Sequence, residues 1–360
     1  MTADAADLEQ GTATTRLGVA GCGLIGGSVL LGLAGLDRYE LAAFDPDPEV
    51  RRALDHAGIE TTGDVQSLAR RSEIVVVAAP PAVTGSLVAA ALVASERVVV
   101  TDVASVKGAV IDTVTRLVGP ELARDRFIAG HPLAGSERRG FGAASADLFD
   151  GSVWALCPSP SAPLDHVLAV SRMAWSLGAS VLAIDAGAHD VAVAYSSHAP
   201  HIVASAIAQA PPPELRAAVA LLSGGGLRDA TRVAASDGAL WVQIVEGNRV
   251  ATLAALDAQQ ATIAALRDAV EREDWEALRG HWALGRDVTE GLLAARWKPR
   301  AWSTAALTAQ TTEALLDLGR AGQLVRAARI DDSGGLRLEI SSVPVSVGLI
   351  QPRPSDVGSQ

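Results

Sequence analysis

At 360 residues the chain is too long for one ordinary hydrophobic core and suits two domains. Hydrophobic residues make up 49% and charged residues 20%, a globular balance that excludes a disordered chain. A net charge of −11 with no basic patch excludes nucleic acid as the expected partner, although a local pair of arginines can still hold an anionic substrate.

The two cysteines, Cys22 and Cys157, lie far apart and have no metal-ligand spacing, so the expectation is a reducing compartment and no disulfide scaffold. No run of about 18 apolar residues has the character of a membrane span. The start, "MTADAADLEQGTATT", is acidic and polar and lacks the basic and apolar regions of a signal peptide. Residues 1–15 are expected to be a disordered lead-in and the protein to be cytoplasmic.

From Arg16 onward, short β-rich runs alternate with helical stretches. "RLGVA", "YELAAFD", "SEIVVVAAP", "RVVVTDV", "RFIAG", "SVWALCPS" and "ASVLAI" read as strands, with helices between most of them. This alternation predicts right-handed βαβ units and a mostly parallel sheet over residues 16–185. Beyond Asp185 the strand signal stops, and residues 186–304 have helical period almost throughout. "GALWVQIVEGNRVATLAALDAQQATIAALRDAVERED" reads as one long helix. "APPPE" and "LLSGGGLRD" break the helical pattern. Six of the seven tryptophans lie beyond residue 170, as a bulky helical core or interface requires. The tail, 305–360, is expected to hold one helix, "AALTAQTTEALLDLGRAGQLV", with a possible small hairpin at "DDSGG".

"VAGCGLIGGS" holds Gly21-x-Gly23-x-x-Gly26 between the first strand and the first helix. In that context Gly21 permits the tight turn, Gly23 lets the backbone approach a pyrophosphate, and Gly26 lets the helix pack on the strand. Leu24 and Ile25 open the helix, whose N-terminus favours the anion. The second strand ends in Asp45, placed to accept hydrogen bonds from an adenosine ribose diol and to repel a 2′-phosphate. The next basic groups are Arg51 and Arg52, so NAD is expected rather than NADP. "VVAAPP", with Pro80, supplies an apolar wall beside the cofactor.

Open parallel sheets bind ligands at the carboxyl ends of their strands. "VVVTDVASVK" delivers Asp102, Ser105 and Lys107 to such an end, and "RFIAGHPLAGSE" delivers His131, Ser136 and Glu137. Histidine titrates near neutrality and suits proton abstraction from a hydroxyl as a hydride leaves, although a polar residue that merely ends a strand reads the same way by position. In the helical part, His198 and His201 are three apart and can share a face, with Pro200 kinking the helix or starting it afresh. Arg228 and Arg232 are four apart, and arginine forks grip carboxylates bidentately. No carboxylate-containing zinc motif accompanies the histidines, so no metal is expected.

Taken in order, "GLIGGS", "DVASVK", "HPLAGSE", "AHDVAVAYSSHAPH" and "LRDATRVAASDGALW" resemble the prephenate/arogenate dehydrogenase family of tyrosine biosynthesis. The resemblance covers about residues 16–300. It implies a Rossmann-type NAD(P) domain followed by an all-α dimerisation and substrate domain, a homodimer, and oxidative decarboxylation of a small dicarboxylate. It assigns His131 to the ring hydroxyl, with Ser105 as its partner. His198, His201, Arg232, Arg228, Ser136 and Glu137 fall on substrate-pocket positions, with Arg232 gripping a carboxylate. Trp241 matches a pocket-closing tryptophan, from the same subunit or its partner. The short tail lacks the βαββαβ pattern of a regulatory ACT domain.

Two other readings remain at this point. A β-hydroxyacid dehydrogenase of similar plan requires a lysine on the helix after the boundary, and the only lysines are Lys107 and Lys298. A non-catalytic NAD-sensing dimer is expected to lack His131 or Arg232. Prephenate and arogenate are not distinguished by any residue.

Overall fold

The computed structural model describes residues 14–135, 138–297, 301–307 and 309–342. Most of the expected lead-in lies outside them, and Thr15 already belongs to the first strand.

The first strands are β1 (Thr15–Ala20), β2 (Tyr39–Phe44), β3 (Glu60–Thr61), β4 (Ile74–Val77), β5 (Val99–Asp102) and β6 (Phe127–Pro132). Between them run α1 (Leu24–Leu33), α2 (Pro48–His56), α3 (Val65–Arg71), α4 (Pro81–Ala94), α5 (Gly108–Val118) and α6 (Pro120–Arg126). All the pairs among these strands are parallel. β4 and β5 are buried along their whole length, which explains their continuous apolar sequence: helices cover both faces. β7 (Val153–Cys157) then runs antiparallel to β6, and α7 (Leu164–Ser176) leads to β8 (Ser180–Ala183), parallel to β7.

Helices follow: α8 (Ala186–Val193), α9 (Ala199–Gln209), α10 (Arg216–Leu222), α11 (Gly225–Thr231), α12 (Gly238–Gly247), α13 (Arg249–Glu271) and α14 (Trp275–Trp297). The single helix expected from Gly238 is interrupted at Asn248, whose backbone leaves helical geometry and whose side chain is buried. No helix among the described residues is long and apolar enough to cross a membrane.

The tail departs most from expectation. It forms β9 (Trp302–Ala306), α15 (Thr312–Arg320), β10 (Gln323–Ile330) and β11 (Leu336–Ser342). The expected hairpin is present, with β10 and β11 antiparallel across "DDSGG", whereas among the described residues of the expected helix Thr312–Arg320 alone is helical. β10 pairs antiparallel with β8, and the sheet runs β3-β2-β1-β4-β5-β6-β7-β8-β10-β11-β9 over 11 strands. β9 begins at Trp302, inside the segment assigned to the helical domain, so a boundary at 304 cuts a strand of the first domain's sheet. The physical cause is the edge of β8, which would otherwise present unpaired backbone groups. α15 lies so close to that edge that a Cβ on Gly319 would stand 1.6 Å from the Ala183 carbonyl oxygen. The Trp175 indole donates to the Val325 carbonyl at 2.9 Å, and Arg320 forks onto Asp185. Leu315, Leu316, Val325 and Leu338 share one core cluster with Trp175 and Val181.

Candidate active site

The glycine cradle follows β1. Gly21 has φ +91°, and a Cβ there would stand 2.5 Å from the Ala78 carbonyl oxygen. A Cβ on Gly26 would stand 1.9 Å from the Gly21 carbonyl oxygen, so both residues are glycine because backbone passes backbone. Gly23 is different: nothing lies within 4 Å of its Cβ position, which leaves the open approach a pyrophosphate needs. Leu24 and Ile25, both half-buried, form the first turn of α1. The Asp45 carboxylate borders this loop, accepting from the Cys22 amide at 2.7 Å and the Asp47 amide at 2.9 Å. Arg51 turns back and donates to the Asp45 and Pro46 carbonyls at 2.5 and 2.9 Å. Pro80 is exposed at the end of β4, where it caps α4. These residues fit a dinucleotide.

His131 lies near the end of β6, opposite Ala155 of β7. Beneath it is a buried ion pair. Lys107 and Asp102 have fully buried side chains with Nζ 2.6 Å from Oδ2. The same ammonium donates to the Gly130 carbonyl at 2.5 Å, and the other carboxylate oxygen of Asp102 accepts from the Gly130 amide at 3.0 Å. Both backbone groups of the residue before His131 are thus held by one ion pair. A side chain at position 130 would displace this arrangement, since its Cβ would stand 2.7 Å from the Asp102 carbonyl oxygen.

His131 Nδ1 lies 2.9 Å from His189 Nε2, and His189 Nδ1 lies 2.9 Å from Asp190 Oδ1. Burial, reinforced by His189, the Lys107 charge and His198, holds the His131 pKa well below 6.5. The ring is therefore neutral at physiological pH and able to take a proton. Burial pushes Asp190 up. Hydrogen bonds from His189 and from the Lys107 and Gly108 amides outweigh that and keep it an ionised carboxylate. Ser105, half-buried in the loop after β5, makes no hydrogen bond to His131, so the implied serine–histidine pair is not formed in this structure.

On the helical side, α8 runs into a π-turn, Ala194–His198, immediately before α9. Pro200 has no amide hydrogen to donate, and the wider turn accommodates the interruption. His198 is 1% exposed, and burial pushes its pKa down to about 4. Its tautomer follows from Asn248. The Asn248 amide nitrogen is 2.7 Å from the Asp190 carbonyl, an obligate acceptor, and 3.1 Å from His198 Nδ1. His198 Nδ1 therefore accepts and Nε2 carries the proton. That buried donor has no partner among the described residues. His201 donates from Nδ1 to the Ser197 carbonyl at 2.8 Å, leaving Nε2 as an acceptor.

Trp241 of α12 stacks on His201, with ring centroids 3.6 Å apart, and meets His198 edge-on at 6.1 Å. It packs in this way within its own chain, so no second subunit is needed to bring it there. Arg232 is exposed, makes no hydrogen bond or ion pair among the described residues, and is near enough to lower the His201 pKa, after burial, the larger cause. Arg228 is not brought in: it is 80% exposed and paired with Asp229, because α11 ends at Thr231 and Arg232 begins a tighter turn. The two arginines do not share one helix face. Ser136 and Glu137 lie outside the described residues.

Comparison with known proteins places this geometry. Residues 37–183 match the family model of the prephenate dehydrogenase nucleotide-binding domain, and residues 185–283 match that of the prephenate dehydrogenase dimerization domain. The chain belongs to the prephenate dehydrogenase family. The match begins beyond the glycine cradle and ends before the tail strands. Cyclohexadienyl dehydrogenase of Zymomonas mobilis is 30% identical over 279 residues, 75% of this chain and 94% of the relative. Prephenate dehydrogenase of Bacillus subtilis is 28% identical over 281 residues, covering 76% of this chain and 75% of its own. The solved prephenate dehydrogenase of A. aeolicus, in complex with hydroxyphenyl propionate and NAD+, superposes with a TM-score of 0.70 at 25% identity, over 79% of this chain and 100% of that one.

Within this prephenate dehydrogenase fold, sequence reasoning missed the residues behind the site. His189 was visible as a histidine, but its partner His131 is 58 residues away. Asn248 carries no motif of its own, and Asp190 lies within "AHDVAVAYSSHAPH" without standing out in it. The one available signal was the dipeptide His189-Asp190 at the domain boundary, since a carboxylate beside a histidine is how tautomers are fixed.

Proposed function

We propose that this protein is an NAD-dependent prephenate dehydrogenase that forms 4-hydroxyphenylpyruvate, within tyrosine biosynthesis, and acts as a homodimer through its helical domain. The observation that carries the reading is His131: a neutral, half-buried imidazole at the end of β6, in the same sheet whose first strand leads into a dinucleotide cradle. NAD bound at Gly21, Gly23 and Gly26 supplies the hydride acceptor. His131 takes the proton of the ring hydroxyl as the carbon bearing it becomes a carbonyl. Carbon dioxide then departs, its bonding electrons enter the ring, and the phenolate recovers a proton. Arg232 is the donor for a substrate carboxylate, and Trp241, stacked on His201 and edge-on to His198, walls the ring.

NAD is favoured over NADP by the Asp45 carboxylate beside the cradle and by Arg51, whose guanidinium is already committed to backbone carbonyls. Dimerisation is supported by large apolar side chains left exposed on α12 to α14, among them Val242, Val250, Ile263 and Trp282. The deciding experiment follows NADH formation at 340 nm with prephenate and with arogenate, each against NAD and NADP. Turnover of prephenate with NAD at a kcat/KM well above the other three combinations is expected. A preference for arogenate corrects the substrate, and no turnover with either overturns the reading.

A further inference from the structure

The hydrogen-bond chain behind His131 uses two residues for which the reaction as proposed has no task. We infer that His189 and Asp190 are positioning residues that fix the tautomer of His131, an inference that rests on His131 being the base of the reaction. Asp190 is ionised, so it can only accept, and the proton between it and His189 belongs to His189 Nδ1. With that proton on Nδ1, His189 Nε2 is the acceptor of the pair. His131 Nδ1, 2.9 Å from that acceptor, must be the donor. His131 Nε2 is left unprotonated and is the atom able to take the substrate proton. The ring centroids are 5.2 Å apart with the planes twisted by 75°, a separation that a hydrogen bond between ring nitrogens gives.

The direction is not the default one, because a free imidazole in water prefers its proton on Nε2, where His131 could not act as a base. Asp190 is itself fixed independently: its two oxygens accept from the Lys107 and Gly108 amides at 2.9 and 2.8 Å. The carboxylate that orients the histidines is therefore anchored to the N-terminus of α5, on the other domain. The charged and titratable groups facing His131 are His189, Lys107 with its partner Asp102, and His198. None of them besides His189 is hydrogen-bonded to its Nδ1.

Two measurements test this. In the full-length protein with 15N-labelled histidine rings, the His131 signals, assigned by their loss in His131→Asn, are expected to show the proton on Nδ1. A proton on Nε2 overturns the inference, whether or not the protein turns over prephenate. In steady-state kinetics His189→Leu, which offers no acceptor, is expected to lower kcat by about 10²–10³-fold with KM for both substrates within about threefold. His189→Gln, which returns an acceptor oxygen near the position of Nε2, is expected to recover at least about tenfold of that loss. A His189→Leu enzyme that folds and keeps kcat within twofold overturns the inference, as do Leu and Gln variants equally impaired. Absence of wild-type turnover instead removes the proposed reaction and leaves the tautomer to be judged by the ring signals.

Discussion

His131 and Arg232 have different tasks in the proposed reaction, and substitution separates them. His131→Asn keeps a polar side chain on the strand end but removes the base, so kcat is expected to fall about 10²–10⁴-fold while KM for prephenate changes little. Arg232 has no protein partner among the described residues, and its guanidinium is free for a carboxylate. Arg232→Ala removes a charge-assisted hydrogen bond of about 1.5–3 kcal/mol, and KM is expected to rise about 10- to 100-fold with kcat largely kept. Steady-state kinetics on both variants check this, and equal small effects sink the assignment. At this scale the sequence placed His131 at a strand end, because motif and strand end coincide at "HPLAGSE". It did not expose what holds them. The Lys107–Asp102 pair was in view as two polar residues, but its grip on both backbone groups of Gly130 depends on β5 and β6 lying side by side.

Elements were legible where local pattern and tertiary demand agree. β4 and β5 are continuous apolar runs because both sheet faces are covered, and they read as strands from composition alone. The "DDSGG" hairpin of the tail was legible, but the extent of its helix was misread because local pattern and tertiary demand conflict there. "AALTAQTTEALLDLGRAGQLV" is rich in good helix formers, yet only Thr312–Arg320 is helical, and β10 takes its last residues to pair beside β8. Asn248 is a similar case: a continuous helical period breaks because one side chain is needed by Asp190 and His198. The docking of the tail includes one close backbone approach, at Gly319. Gly319→Ala places a Cβ where only 1.6 Å is available to the Ala183 carbonyl oxygen, so α15 must lift from the edge of β8. Overpacking of this kind costs about 1–3 kcal/mol. A lower melting temperature and faster proteolytic cleavage within residues 301–342 are expected, and unchanged values for both argue that the tail is held some other way.

Across the whole molecule, the two domains are joined by polar groups among which His131 and His198 are held neutral by burial. Asp190 of α8 holds the start of α5, Asn248 holds Asp190 and His198, and His189 holds His131. Folding lowers the pKa of His131 well below 6.5 and that of His198 to about 4. The folded state therefore binds fewer protons than the unfolded state between these values, and stability falls as pH falls through that window. Above about pH 6.5 both states carry neutral imidazoles, and the contribution is fully present. Asp190 is shifted the same way in pKa but acts lower, below the ordinary carboxylate range, so it does not account for losses that begin near pH 6. The melting temperature is expected to be level from pH 8 to 7 and to decline from about pH 6.5 toward 4. His198→Gln, which removes one of the three histidines whose pKa folding lowers, is expected to have a shallower decline over that range even if its melting temperature at pH 8 is lower. A wild-type curve that stays flat down to pH 4.5, or a His198→Gln curve as steep as wild type, contradicts the neutral-histidine seam between the domains.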